Sequence, residues 1–139
     1  MTVLHPCDDV STRLLTKQLA KSDKPSYMRT ARNKTPVLYD DVDEHTIQIG
    51  KGIELREGND VAIIACGVLV SEALKAADEL SKKGIEATVI DMHTIKPLDT
   101  QLIEKMAKEC GAIVTAEDHN VIGGLGLSLI HISEPTRLD

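Results

Sequence analysis

Between Val61 and Ala116 the apolar positions switch repeatedly between strand-like runs and helical spacing. Val61–Cys66 is apolar at every position and closes at Gly67, the pattern of a strand covered on both faces. Leu69 to Lys83 follows with helical period: Leu69, Ala73, Ala76, Ala77 and Leu80 form a narrow stripe of mostly small residues, opposite Glu72, Lys75 and Glu79. Gly84 ends that helix. Ile85–Asp91 reads as a second strand. Asp99–Cys110 reads as a second helix, with Asp99 as N-cap and Leu102, Ile103 and Met106 inward. Ala112–Ala116 is a third strand. Strands alternating with helices of this length predict an α/β fold, a mostly parallel sheet with helices on both faces.

Upstream the pattern is weaker. Thr2–His5 reads as a short strand stopped by Pro6. Asp8 or Asp9 can cap a helix with Val10, Leu14, Leu15 and Leu19 on one side, broken by Ser22–Pro25. Ser26–Thr30 reads as another strand and Thr35–Tyr39 as extended chain. Ile47, Ile49, Ile53 and Leu55, interrupted by Gly50 and Gly52, predict two short strands with a bend. The acidic stretch Asp40–Glu44 resembles a linker and places a domain boundary near residues 40–45; it lacks the spacing and glycine of a calcium loop.

Composition narrows the function. The 139 residues suffice for one sizeable core, and 42% hydrophobic with 27% charged residues is typical of a soluble globular protein. With no Phe or Trp and two Tyr, the chain lacks platforms for stacking bases. A net charge of −6 without a basic block argues against a nucleic-acid backbone as partner. No apolar run has the length of a membrane span and no secretion signal is visible. Cys7, Cys66 and Cys110 are odd in number and widely spaced; Cys66 and Cys110 fall on apolar faces, as buried free thiols would in a reducing cytoplasm.

Three places carry candidate chemistry. Arg29, Arg32 and Lys34 crowd positive charge into a short stretch of an acidic chain, either as a solvated loop or as an anion site gripped by guanidinium forks. His93 lies in a loop, His93–Pro97, that follows a strand's carboxyl end, where open α/β sheets place ligands; a surface or hydrogen-bonded histidine is the default alternative. Glu117, Asp118 and His119 leave the third strand and lead to Gly123, Gly124 and Gly126 before a further helix. These glycines permit close backbone approach to an anion at a helix N-terminus, or tight packing against another subunit. They lack the spacing of a dinucleotide fingerprint.

Taken together, TVLHPCDD, YMRTARNK, DMHTIKPLD and VTAEDHNVIGGLG stand in the order and at the intervals of the C-terminal part of a transketolase, which the chain resembles through about Gly126. The wider group includes deoxyxylulose-phosphate synthases and 2-oxo acid dehydrogenase β subunits, the alternatives within it; a non-enzymatic α/β interaction module is the alternative outside it. The resemblance implies a pyrimidine-binding-domain end over residues 1–40 and a truncated C-terminal α/β domain over 41–126. It implies an enzyme of pentose phosphate metabolism transferring two-carbon ketol units between sugar phosphates, with thiamine diphosphate and Mg2+. By matching position Arg32 binds the substrate phosphate and Arg29 supports it, while Glu117, Asp118 and His119 form a structural or subunit-contact loop.

The family's cofactor-activating glutamate and its Gly-Asp-Gly motif match nothing in this sequence. The implied partner is therefore the N-terminal portion or subunit of the enzyme, in a homodimer or heterotetramer in the cytoplasm, and the isolated fragment is expected to be inactive. Residues 127–139 break the family's helical pattern. Within them, residues 129–137 (LIHISEPTR) resemble translated adapter DNA and are expected to be non-native.

Overall fold

A computed structural model describes residues 1–40 and 42–133. The elements in chain order are β1 (Thr2–Leu4), α1 (Asp9–Leu19), β2 (Ser26–Met28), β3 (Ile53–Arg56), β4 (Val61–Ala65), α2 (Leu69–Ser81), β5 (Ala87–Asp91), β6 (Thr94–Lys96), α3 (Thr100–Glu109), β7 (Ile113–Ala116) and α4 (Leu125–Ser133). The larger sheet has the order β3-β5-β4-β7, with β5, β4 and β7 parallel and β3 antiparallel at one edge. The smaller sheet, β2-β1-β6, pairs β1 parallel to β2 and antiparallel to β6.

Strand β4 explains why this segment is apolar throughout. Ala62 and Ile64 pack with Ile103 and Met106 of α3 and Leu125 and Leu129 of α4. Ile63 and Ala65 pack with Val70, Ala73 and Ala77 of α2 on the other face. Alternate side chains point to opposite sides of a strand, so a strand roofed by helices on both sides has no polar position to spare. The buried stripe of α2 is turned slightly from the expected one: Val70 is fully buried, whereas Ala76 is exposed.

Capping follows the sequence closely. Asp8 begins α1, accepting 2.7 Å from Ser11 N while the Ser11 hydroxyl accepts 3.1 Å from Asp8 N, a reciprocal box. Asp99 caps α3 by accepting from Leu102 N at 3.3 Å. The tail expectation bears on α4, which runs as a helix through Ser133; residues 134–139 lie outside the described part.

Two expectations need correction. His93–Pro97 is not simply a loop: Thr94–Lys96 forms β6, paired with β1 at Val3↔Lys96 and Leu4↔Thr94. A three-residue strand carries too little periodicity to be read alone, and its partner is far away in sequence. Ile47 and Ile49 form a turn segment rather than a strand. The Gln18 side chain serves their backbone as a neighbouring strand would, donating 2.6 Å to Ile47 O and accepting 3.1 Å from Ile49 N.

The N-terminal elements pack directly on the larger sheet. Leu4, Leu14, Leu15, Tyr39 and Ile47 belong to the same buried cluster as Ile63, Ala65 and Val70. Burying a leucine such as Leu15 contributes roughly 1.5–3 kcal/mol. This packing brings the ends of both sheets side by side.

Candidate functional site

The carboxyl ends of β1, β2, β4 and β7 meet at one edge of the molecule. They deliver His5, Arg29, the Cys66–Gly67 turn and Glu117–His119 respectively. Backbone bonds fix the junction: Gly67 N donates 3.1 Å to His5 O, His5 N 2.8 Å to His93 O, and Arg29 N 2.9 Å to Leu4 O.

An open cleft of about 610 Å³ lies here, its wall including His5, Arg29, Arg32, Ser71, Lys75 and Asp118. Two arginines flagged by charge clustering are thus brought to one surface. Lys34 lines it as well, and α2 adds Lys75 together with Glu72, whose carboxylate pairs with that lysine at 2.8 Å. Arg29 is half-buried and stands 4.0 Å from Asp118 Oδ2, a loose pairing that leaves much of its fork available. Arg32 is exposed, with no ion pair among the described residues. The first turns of α2 face the same cleft, and its N-cap position, Val68, supplies no side-chain hydrogen bond. A helix start carries partial positive charge, so the local field favours anions despite the net charge of the chain.

His5 was not distinguishable in the sequence, where it looked like the last residue of a short strand. It is 6% exposed, and its Nδ1 lies 3.5 Å from Cys66 Sγ. Its ring lies where a Cβ on Gly67 would stand, and Gly67 has φ +58, so both packing and backbone demand glycine. Burial, and then the nearby Arg29, push the His5 imidazole below the ordinary histidine value, against Glu117 and Asp118.

The loop after β7 folds onto itself. Glu117 Oε1 accepts 3.2 Å from Gly126 N at the start of α4, and a side chain on Gly124 would collide with that carboxylate. Gly123 has φ +76. Gly126 packs on Thr115, whose Oγ1 would lie 3.0 Å from an added Cβ. The first turn of α4 is thus engaged by a carboxylate of the chain itself. His119 and Gly123 border a small crevice of about 60 Å³ with His5, Tyr27 and Arg29. At the loop tip Val121 and Ile122 are 76% and 81% exposed.

His93 is wholly buried, its Nδ1 3.0 Å from Thr94 Oγ1 and its Nε2 without a hydrogen-bond partner among the described residues. Burial pushes its pKa down to about 4, so it is a neutral core histidine rather than a cleft residue. Nearby, Asp91 is completely buried and accepts from Tyr39 Oη at 2.8 Å and from Cys7 Sγ at 3.4 Å. Burial raises the Asp91 carboxyl to about 7, in spite of those two donors. All three cysteines are buried and unpaired as disulfides. No group of three metal-binding side chains that could hold an ion occurs among the described residues. No described helix is long and apolar enough to cross a membrane.

The model of the transketolase C-terminal domain family matches residues 50–135. The chain is 44% identical over 126 residues to a 6-deoxy-6-sulfo-D-fructose transketolase subunit of Clostridium sp. (strain MSTE9), covering 91% of this chain and 38% of that protein. It is 42% identical to a putative transketolase C-terminal section of Methanocaldococcus jannaschii, covering 91% and 39%. A solved split-gene transketolase, an inactive β4 tetramer, superimposes with a TM-score of 0.90 at 40% identity, over 95% of this chain and 44% of that one. The chain therefore spans about two fifths of the length of these relatives.

Proposed function

The chain belongs to the transketolase C-terminal domain family, and on that premise we propose that it is the C-terminal section of a thiamine-diphosphate-dependent transketolase. In this reading residues 1–40 close a pyrimidine-binding domain, 41–126 belong to the C-terminal domain, and 127–139 are a non-native tail. The enzyme moves a two-carbon ketol unit between sugar phosphates in the cytoplasm. Thiamine diphosphate and Mg2+ are held by an N-terminal portion or partner subunit, which this chain needs for turnover. The wall of the cleft supplies the charged end of the site. Arg32, seconded by Arg29, grips the substrate's phosphate, while the Glu117–His119 loop with its glycines braces a subunit contact.

The observation that carries this reading is the arrival of Arg29 and Arg32 on one cleft that also receives the start of α2. Guanidinium is permanently charged and pairs two oxygens at once, which suits a phosphate dianion. The test uses the complete enzyme, reconstituted with its N-terminal portion. Arg32→Ala should raise KM for phosphorylated donors about 10- to 100-fold, the ~1.5–3 kcal/mol of a charged hydrogen bond, and leave unphosphorylated donors little changed. Equal effects on both donors would remove Arg32 from the phosphate site. Ketol transfer by this chain alone would refute the dependence on a partner.

A further inference from the structure

His5 is an unused polar group in a demanding position. It is nine-tenths buried, it borders the cleft, and among the described residues its side chain has one hydrogen-bond contact, Nδ1 with Cys66 Sγ, leaving the Nε2 edge for a ligand. That edge lies over Gly67, the residue just before the N-cap Val68 of α2, and α2 begins without a side-chain cap. Its other edge is already held by Cys66, whose thiol burial pushes up to about 12 and so keeps neutral. A neutral thiol can donate to Nδ1 or accept from it. The histidine can therefore gain a proton without losing that contact.

Resting on the reading of the cleft as an anion site, we propose that His5 is a proton-carrying ligand of the bound oxyanion, donating from Nε2 to a phosphate-like group seated at the start of α2 beside Arg29. Binding and protonation are then linked. Burial, Arg29 and His119 oppose a charge on His5, while Glu117 and Asp118 favour it. A dianion reverses the sign of the field from the cleft side and supplies the missing acceptor, so the imidazole takes up a proton as the anion enters. The site prefers dianionic oxyanions, and it holds them more tightly in mild acid than in mild base.

Sulfate is the suitable probe, because it remains a dianion throughout the range in which histidine titrates. Binding of sulfate to the full chain is followed by NMR between pH 5 and pH 8, together with the titration of the His5 ring protons. Sulfate should raise the midpoint of the His5 titration, and affinity should increase about tenfold or more from pH 8 to pH 5. His119→Gln should keep that dependence and His5→Gln should lose it. Should His5→Gln fail to fold, the His5 midpoint of the native chain with and without sulfate still decides. An unmoved midpoint, a pH-independent affinity or an absence of saturable binding would overturn the proposal. Arg32→Ala separates it from the reading it rests on: if that variant retains the sulfate-linked shift of His5, Arg32 is removed from the site while the role of His5 stands.

Discussion

The Tyr39 hydroxyl donates a 2.8 Å hydrogen bond to Asp91 Oδ2, joining the segment after the arginine cluster to the carboxyl end of β5. Asp8 holds the same segment from the other side, accepting from Leu38 N at 2.9 Å and Tyr39 N at 3.0 Å. Burial alone would raise the Asp8 carboxyl, but hydrogen bonds from Ser11, Leu38 and Tyr39 hold it below the ordinary value. Arg29–Lys34 is thereby strung between β2 and an anchored tyrosine. Tyr39→Phe keeps the ring and deletes the donor to a buried carboxyl. Its expected cost is about 1–3 kcal/mol in urea unfolding, larger at pH 8 than at pH 5.5 because an ionised acceptor is stronger. Tyr27→Phe, at an exposed position, should change stability little.

Asp91 and His93 impose opposite pH dependences. The folded Asp91 keeps its proton up to about pH 7, whereas an unfolded carboxyl loses it near 4, so its contribution falls as pH rises between those values. The folded His93 refuses a proton until about pH 4, whereas an unfolded histidine accepts one near 6.5, so its contribution grows as pH rises through that window. The two offset each other between about pH 4.5 and 6.5. Asp91→Asn should unmask the histidine slope, approaching 1.4 kcal/mol per pH unit at most, about tenfold in the folding equilibrium. Urea titrations at several pH values measure this; an unchanged slope in the variant would disprove it.

The glycines after β7 make different demands. An alanine Cβ at position 124 would meet the Glu117 carboxylate and sit 2.6 Å from Asn120 O, whereas position 123 is open but has φ +76. Gly123→Ala should cost about 1–2 kcal/mol of left-handed strain. Gly124→Ala should displace Glu117 from Gly126 N and speed amide exchange through α4. Exchange protection of α4 equal to that of the native chain in Gly124→Ala would contradict the capping role of Glu117.

Cysteine chemistry should report on unfolding alone. Cys7 and Cys66 are buried, and burial pushes both thiols far above neutrality, followed for Cys7 by Asp91 and for Cys66 by Glu117. Labelling of these residues by a thiol reagent should be slow in buffer and rise with the unfolded fraction in denaturant. Rapid labelling of Cys66 in native conditions would show that the His5 contact opens readily.

Much of this architecture was visible in residue pattern. The apolar run of β4, the caps Asp8 and Asp99, and the glycine stops all act within a few residues, so local spacing reveals them. The charge cluster was visible for the same reason, because cations stand out in an acidic chain. What escaped depends on partners remote in sequence. Nothing near His5 announces Gly67, and nothing near Tyr39 announces Asp91. The Gln18 amide that replaces a strand beside Ile47 looks like any exposed helix residue. Thr94–Lys96 becomes a strand only because β1 offers it an edge.

The last of these pairings has a consequence for biosynthesis. Val3 and Leu4 find their antiparallel neighbours at Lys96 and Thr94. During synthesis β1 therefore stays exposed on one side until Thr94–Lys96 has been made. Contacts of such long reach slow folding and lengthen exposure to aggregation. A truncation before Thr94 would leave that strand open, making it a natural client for chaperones.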